Sequence, residues 1–195
     1  MDKYSEYYYE IIEKYKLFHK NGIKNQPGES TFLGYSLSKW IVKIQEKIKI
    51  NNCSTLIDFG CGKGFLYKNK IKIGNKNYNS ISDFWGIDDL YLYDPGIEEY
   101  SIYPKKKYDA VICTDVIEHI PEDDVINFID NLFKLANKFI FVVIATIPAS
   151  KYCRISFGSL LLILAKGEIF LISQARQKFS TSFTVMGPCS PSIIK

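Results

Sequence analysis

The feature that most constrains this chain is an apolar run that passes without a break into a glycine loop. Residues 53–59, Cys-Ser-Thr-Leu-Ile-Asp-Phe, read as a short buried strand, and Gly60-Cys61-Gly62-Lys63-Gly64 follows at once. Glycine at every second position permits a tight turn through positive φ and lets a ligand reach the backbone with no Cβ in the way. A helix opening directly after such a turn presents free amides, which suit an anionic or carboxylate-bearing ligand. A phosphate loop needs GxxxxGK[ST], and Gly64 is followed by Phe65, so that reading fails. The dinucleotide fingerprint GxGxxG also fits poorly, because the third glycine comes one residue early. An ordinary strand-to-helix turn would use the same residues, so the loop does not settle the function alone.

The surrounding pattern predicts an α/β, Rossmann-like fold with a mostly parallel sheet and helices on both faces. Tyr4, Tyr8, Ile11, Ile12, Tyr15 and Phe18 recur at helical spacing until Asn21-Gly22. Residues 21–35 read as loop, and a second helix is expected to start at a Ser36 cap, with Leu37, Trp40, Ile41, Ile44 and Ile48 on one face. Residues 68–80 are polar and read as a surface insertion after a short helix, and Asp83-Phe84-Trp85 as one helical turn. Strands follow at Asp89–Tyr93, at 109–114 and at Lys138–Thr146, the last ending before Pro148. Pro121 and the acids 122–124 start the helix before that last strand. The divisions are a helical cap over 1–50, a ligand-binding core over 51–150 and a tail over 151–195 that is expected to pack irregularly.

Two acids fall where an open α/β sheet binds ligands, at the carboxyl ends of its strands. Asp94 closes the second strand and could accept hydrogen bonds from both hydroxyls of a ribose, although Asp-Pro-Gly is also plain turn chemistry. Asp115 closes the third, in Tyr108-Asp-Ala-Val-Ile-Cys-Thr-Asp115-Val-Ile-Glu118-His119-Ile-Pro121.

Taken in order, DFGCGKG, the strand ending YDPG, YDAVICTDVIEHIP and KFIFVVIATIP resemble the class I methyltransferases that use S-adenosylmethionine (SAM), over roughly residues 53–148. The nearest style is the ubiquinone-biosynthesis branch, with its Glu-His and Pro after the fourth strand. The resemblance implies SAM as cofactor. Asp58, Gly60 and Gly62 would line its methionine part, with Cys61 in the same loop and Gly64 letting the helix pack close. Asp94 would bind the ribose, and Asp115 and Val116 would sit near the adenine or the methyl-transfer centre. The cap and Gly34-Tyr35-Ser36 are expected to form a lid. Only 14 residues separate Asp94 from Asp109, too few for the family's usual helix and third strand. No clear antiparallel pair follows residue 150, so the fold is expected to be abbreviated in the middle and at its C-terminal end.

The resemblance names no catalytic group. Glu118 and His119 are the candidates at hand. With Asp115 they form an acid-x-x-acid-His pattern that binds Mg²⁺ in some methyltransferases acting on hydroxyls, but capping and bracing of the turn before Pro121 is the simpler role, and no metal is expected. The leading function is methyl transfer from SAM to an O or N atom of a small molecule. The alternatives are a non-catalytic SAM-fold module and, disfavoured by the glycine spacing, a nucleotide-binding oxidoreductase. The net charge of +4 does not call for a nucleic-acid partner and does not exclude one: residues 151–195 hold 6 of the 25 Lys+Arg and 1 of the 21 Asp+Glu, leaving the first 150 residues with 19 and 20. Five scattered cysteines without a CxxC pair suggest reduced thiols in the cytoplasm. The opening residues are too polar for a signal peptide, and Leu160–Ala165 is too short to span a bilayer, so no membrane association is expected.

Overall fold

The computed structural model describes residues 4–145 and, as backbone, 169–174 and 182–184. Helix α1, Glu6–Asn21, starts where the Ser5 hydroxyl accepts the Tyr8 amide at 3.1 Å, and ends at Gly22, whose N–H returns to Phe18 O with φ 84°. Helix α2, Ile41–Ile50, begins later than the expected Ser36 cap. Gly34 takes the left-handed conformation and Tyr35–Lys39 wind as a 3-10 turn, which delays the α-helix to Trp40.

Strand β1, Thr55–Phe59, leads through the glycine loop into the short helix α3, Phe65–Lys68. The polar insertion is an antiparallel hairpin, β2 (Ile71–Ile73) and β3 (Lys76–Tyr78), and Ile71 and Ile73 pack against the core. Helix α4, Ile81–Trp85, is capped by Ser80, and β4, Asp89–Tyr93, falls on the expected residues. Only a 3-10 turn at Glu98–Tyr100 separates β4 from β5, Tyr108–Thr114. The middle of the fold is therefore abbreviated, as the short spacing implies. Helix α5, Val125–Leu135, follows a 3-10 turn over Glu122–Asp124, and β6 covers Ala136–Ala145.

The strand order is β4-β1-β5-β6, all parallel, and it continues through β7 (Ile169–Gln174), parallel to β6, to β8 (Ser182–Thr184), antiparallel to β7. These last two strands correct the expectation of an irregular tail for their own residues: backbone pairing to β6 extends the sheet past residue 150. The rest of the tail, with Cys153 and Cys189, and the expected strand end at Pro148 lie outside the described residues.

Alternate residues of each strand feed opposite faces, as strand geometry dictates. Ile57, Val111, Ile140 and Val142 meet α1 and α5 on one face. Leu56, Ala110, Ile112, Phe141 and Val143 meet α2, α3 and α4 on the other. Helix α1 is tied down at its start: the Ser5 N–H and hydroxyl donate to the Asp124 carboxylate, and the Asn131 amide donates to Tyr4 Oη at 2.7 Å. Among the described residues no helix is long and apolar enough to cross a membrane.

Candidate functional site

From β1 the chain crosses to β4 on one side of the sheet and returns to β5 on the other, so the carboxyl end of β1 is the point where the topology switches direction. A cavity of about 290 Å³ opens there, lined from the sheet by Gly60, Gly62, Asp94, Pro95, Gly96, Thr114, Asp115, Val116, His119 and Ile120. Helix α1 roofs it with Tyr8, Ile11, Ile12, Tyr15 and His19, and Phe32, Gly34 and Ser36 close one side. Of the expected lid, α1, Gly34 and Ser36 line this cavity, whereas Tyr35 does not and α2 packs on the opposite face of the sheet.

The glycine loop is shaped for close approach. A Cβ at Gly60, where φ is 93°, would lie 2.3 Å from Val116 Cγ2, and one at Gly62, where φ is 57°, would lie 2.3 Å from Phe32 O. Gly64, at φ 62°, faces Leu92 and Tyr100, consistent with tight packing of α3 on β4. The loop is also locked to the cap. The Lys63 N–H donates to Phe32 O at 2.9 Å, and the Phe65 N–H to Leu33 O at 3.2 Å. The Lys63 ammonium donates to Thr31 O at 3.1 Å, to Thr31 Oγ1 at 3.3 Å, to His19 O at 3.4 Å and to Gly28 O. A cation at the last carbonyls of α1 also suits the helix dipole.

Asp94 ties the two loops at the mouth: Oδ2 accepts the Gly62 N–H at 2.9 Å and Oδ1 the Gly96 N–H at 2.8 Å. Burial pushes its carboxyl above the usual range, and the two amides oppose that shift. Each oxygen has a second lone pair, so this cavity-lining carboxylate retains acceptor capacity beyond the two amides.

Asp115 stands at φ 55°, an uncommon conformation for a non-glycine residue, and its Oδ1 is buried with no hydrogen-bond partner. A conformation of this kind in a non-glycine residue is enforced by the surrounding structure, here at the carboxyl edge of the sheet where Asp115 lines the cavity.

Asp58 lies deeper than the sequence suggests. It is 3% exposed, beneath the loop rather than on the cavity wall; Tyr67 Oη donates to Oδ2 at 2.8 Å and Oδ1 has no partner. Burial pushes its pKa up to about 7, with Asp94 adding and Tyr67 opposing. Cys61 is also buried off the cavity, its thiol pushed up by burial. Five of the eight expected cofactor residues (Gly60, Gly62, Asp94, Asp115, Val116) thus line the cavity, while Asp58, Cys61 and Gly64 shape it from behind.

Glu118 and His119 part company. Glu118 is 6% exposed within the 3-10 turn Ile117–His119 and does not line the cavity, whereas His119 does. Burial holds the His119 imidazole below its usual range, with Asp115 pulling the other way. Asp115, Glu118 and His119 do not converge on one ion: among the described residues no three His, Cys, Asp or Glu side chains could hold a metal.

The roof was expected from the resemblance only as a segment, the cap, and not residue by residue. The α1 stripe shows an apolar face without saying what it covers, and Phe32, in a loop at φ 49°, carries no sequence signal at all. His19 comes to the mouth from the end of α1. Its Nδ1 is buried without a partner, and burial together with the nearby Lys63 charge lowers its pKa to about 4.

A family model described as "Methyltransferase domain" matches residues 29–176. No curated protein and no solved structure matches the chain. The match takes in the glycine loop, Asp94, Asp115 and the parallel strands that carry them, and it spans most of the chain. The chain therefore belongs to the methyltransferase domain family, with the parallel α/β sheet of the class I, SAM-dependent type.

Proposed function

We propose that this protein transfers the methyl group of SAM to an oxygen or nitrogen atom of a small molecule in the cytoplasm. The observation that carries the reading is the cavity at the switch point, where the Gly60 and Gly62 cradle, Asp94 and Asp115 face one space. These residues fit the cofactor on three counts. Gly60 and Gly62, at φ 93° and 57°, bring a tight left-handed turn to the cavity wall, where a ligand meets backbone and not side chains. Asp94 offers two carboxylate oxygens for ribose hydroxyls. Asp115 adds a second acid to the lining, and two acids suit a cofactor whose sulfonium and ammonium outweigh its carboxylate.

When bound, SAM supplies an activated methyl group, and the protein's task is orientation. Gly60, Gly62 and Asp94, at the carboxyl ends of β1 and β4, would hold the cofactor. Helix α1 roofs the site and excludes water. The His119 imidazole, kept neutral by burial, is placed to take the proton of a hydroxyl or amine acceptor, with Asp115 stabilising the cation that forms. The free thiols of Cys53, Cys61 and Cys113 agree with a reducing compartment.

Incubation with methyl-labelled SAM and a small-molecule metabolite extract tests the reading. Label should move to an extractable metabolite, and Asp94→Ala should abolish the transfer. SAM binding without transfer to any acceptor would make the protein a non-catalytic module.

A further inference from the structure

The roof of the cavity is a continuous wall of rings. The Tyr15 ring lies 5.7 Å from that of His119 and 5.3 Å from that of Phe32, and Phe32 lies 4.8 Å from His19, centroid to centroid. Phe32 is the least expected member. A bulky residue at φ 49° is a true backbone outlier, and strain of this kind persists only where the surrounding structure enforces it. Its carbonyl grips the glycine loop, which fixes the backbone, and its ring is thereby set between Tyr15 and His19.

The charges around this wall are one-sided. Among the described residues the cavity lining holds the carboxylates of Asp94 and Asp115 and no Lys or Arg. The nearby ammonium, Lys63, is engaged by oxygens of His19, Gly28 and Thr31. Apart from the charges of the cofactor itself, a phosphate or carboxylate on the acceptor would therefore meet negative charge with no Lys or Arg side chain to answer it. His19 borders the same space with its ring.

We propose that the methyl acceptor is an uncharged aromatic molecule carrying a hydroxyl or amine and that its ring stacks on Phe32. Phe32 is then a specificity-determining residue for the acceptor. Offset or edge-on ring pairs favour an aromatic ligand over an aliphatic one of the same size. The inference rests on the methyl-transfer reading and adds the substrate class to it.

The test uses the full chain saturated with S-adenosylhomocysteine (SAH), titrated calorimetrically with phenol, benzoate and cyclohexanol. SAH binding is measured first, and its absence would sink the methyl-transfer reading itself. Given SAH binding, phenol should bind saturably and more tightly than either of the other two. Phe32→Asn removes the ring but tolerates the left-handed backbone. It should weaken phenol by about tenfold and SAH by less than about threefold. Tighter binding of benzoate, equal binding of cyclohexanol, no saturable binding of phenol, or phenol affinity unchanged in Phe32→Asn would each overturn the proposal. An equal loss of phenol and SAH in that variant would also overturn it, because the ring would then serve the cofactor.

Discussion

The carbonyl oxygen of Phe32 fills the space that a side chain on Gly62 would need, 2.3 Å from where its Cβ would stand. The cap and the glycine loop are therefore complementary surfaces, and the loop cannot accept a side chain at this position without displacing the cap. Gly62→Ala adds a left-handed backbone cost of about 1–2 kcal/mol to that clash. The variant should melt at lower temperature and bind SAH at least about tenfold more weakly. Thermal denaturation with and without SAH measures both effects.

Asp94 holds the Gly62 and Gly96 amides with its two oxygens. Asp94→Asn keeps one acceptor oxygen and exchanges the other for a donor, which opposes one of the amides. With charge-assisted hydrogen bonds contributing about 1.5–3 kcal/mol, SAH affinity should fall by roughly ten- to a hundredfold. Titration at fixed pH checks this. Equal affinity in the variant would remove Asp94 from the site.

Lys63→Met removes the ammonium that gathers oxygens from residues 19–31. The loss should be local. Amide exchange across 19–34 should speed up while β1 and β5 stay protected, and global stability should fall by about 1–2 kcal/mol. Unchanged exchange in 19–34 would show that Lys63 does not fasten the cap.

Asp58 adds a pH dependence with a definite sign. Its folded pKa of about 7 lies above the free value of about 3.9, so the native state holds the proton more tightly. The stability this contributes is complete below about pH 4 and is lost as pH rises through about 7. Asp58→Asn cannot ionise and can still accept the Tyr67 hydroxyl. Relative to the parent, the variant should gain about 1 kcal/mol or more between pH 5 and pH 8, read by urea denaturation. A constant difference would mean that Asp58 is already ionised in the fold at pH 5.

The parts legible in the sequence were those written in local patterns. The apolar strands expected over 53–59, 89–93 and 109–114 and the acids at their ends follow from period and turn chemistry, and the strands form at Thr55–Phe59, Asp89–Tyr93 and Tyr108–Thr114. Ser36 misled because a capping residue competes with the backbone around it, and Gly34 turns residues 35–39 into a 3-10 segment first. Asp58 looked exposed to ligand because it ends a strand, but Tyr67, nine residues on, folds back over it. The roof was legible as a segment through the family resemblance, but its individual residues were not. Tyr15, His19 and Phe32 come to the site through long-range packing, on the side of a sheet whose middle lacks a helix, and no local period encodes that meeting.

The most direct test of the account is calorimetric titration of the protein with SAM, SAH and NAD in parallel. The account predicts saturable binding of SAM and SAH, one per chain, with no NAD binding and a loss of more than about tenfold in Asp94→Ala. Binding of NAD without SAM or SAH, or SAM affinity untouched in Asp94→Ala, would contradict it.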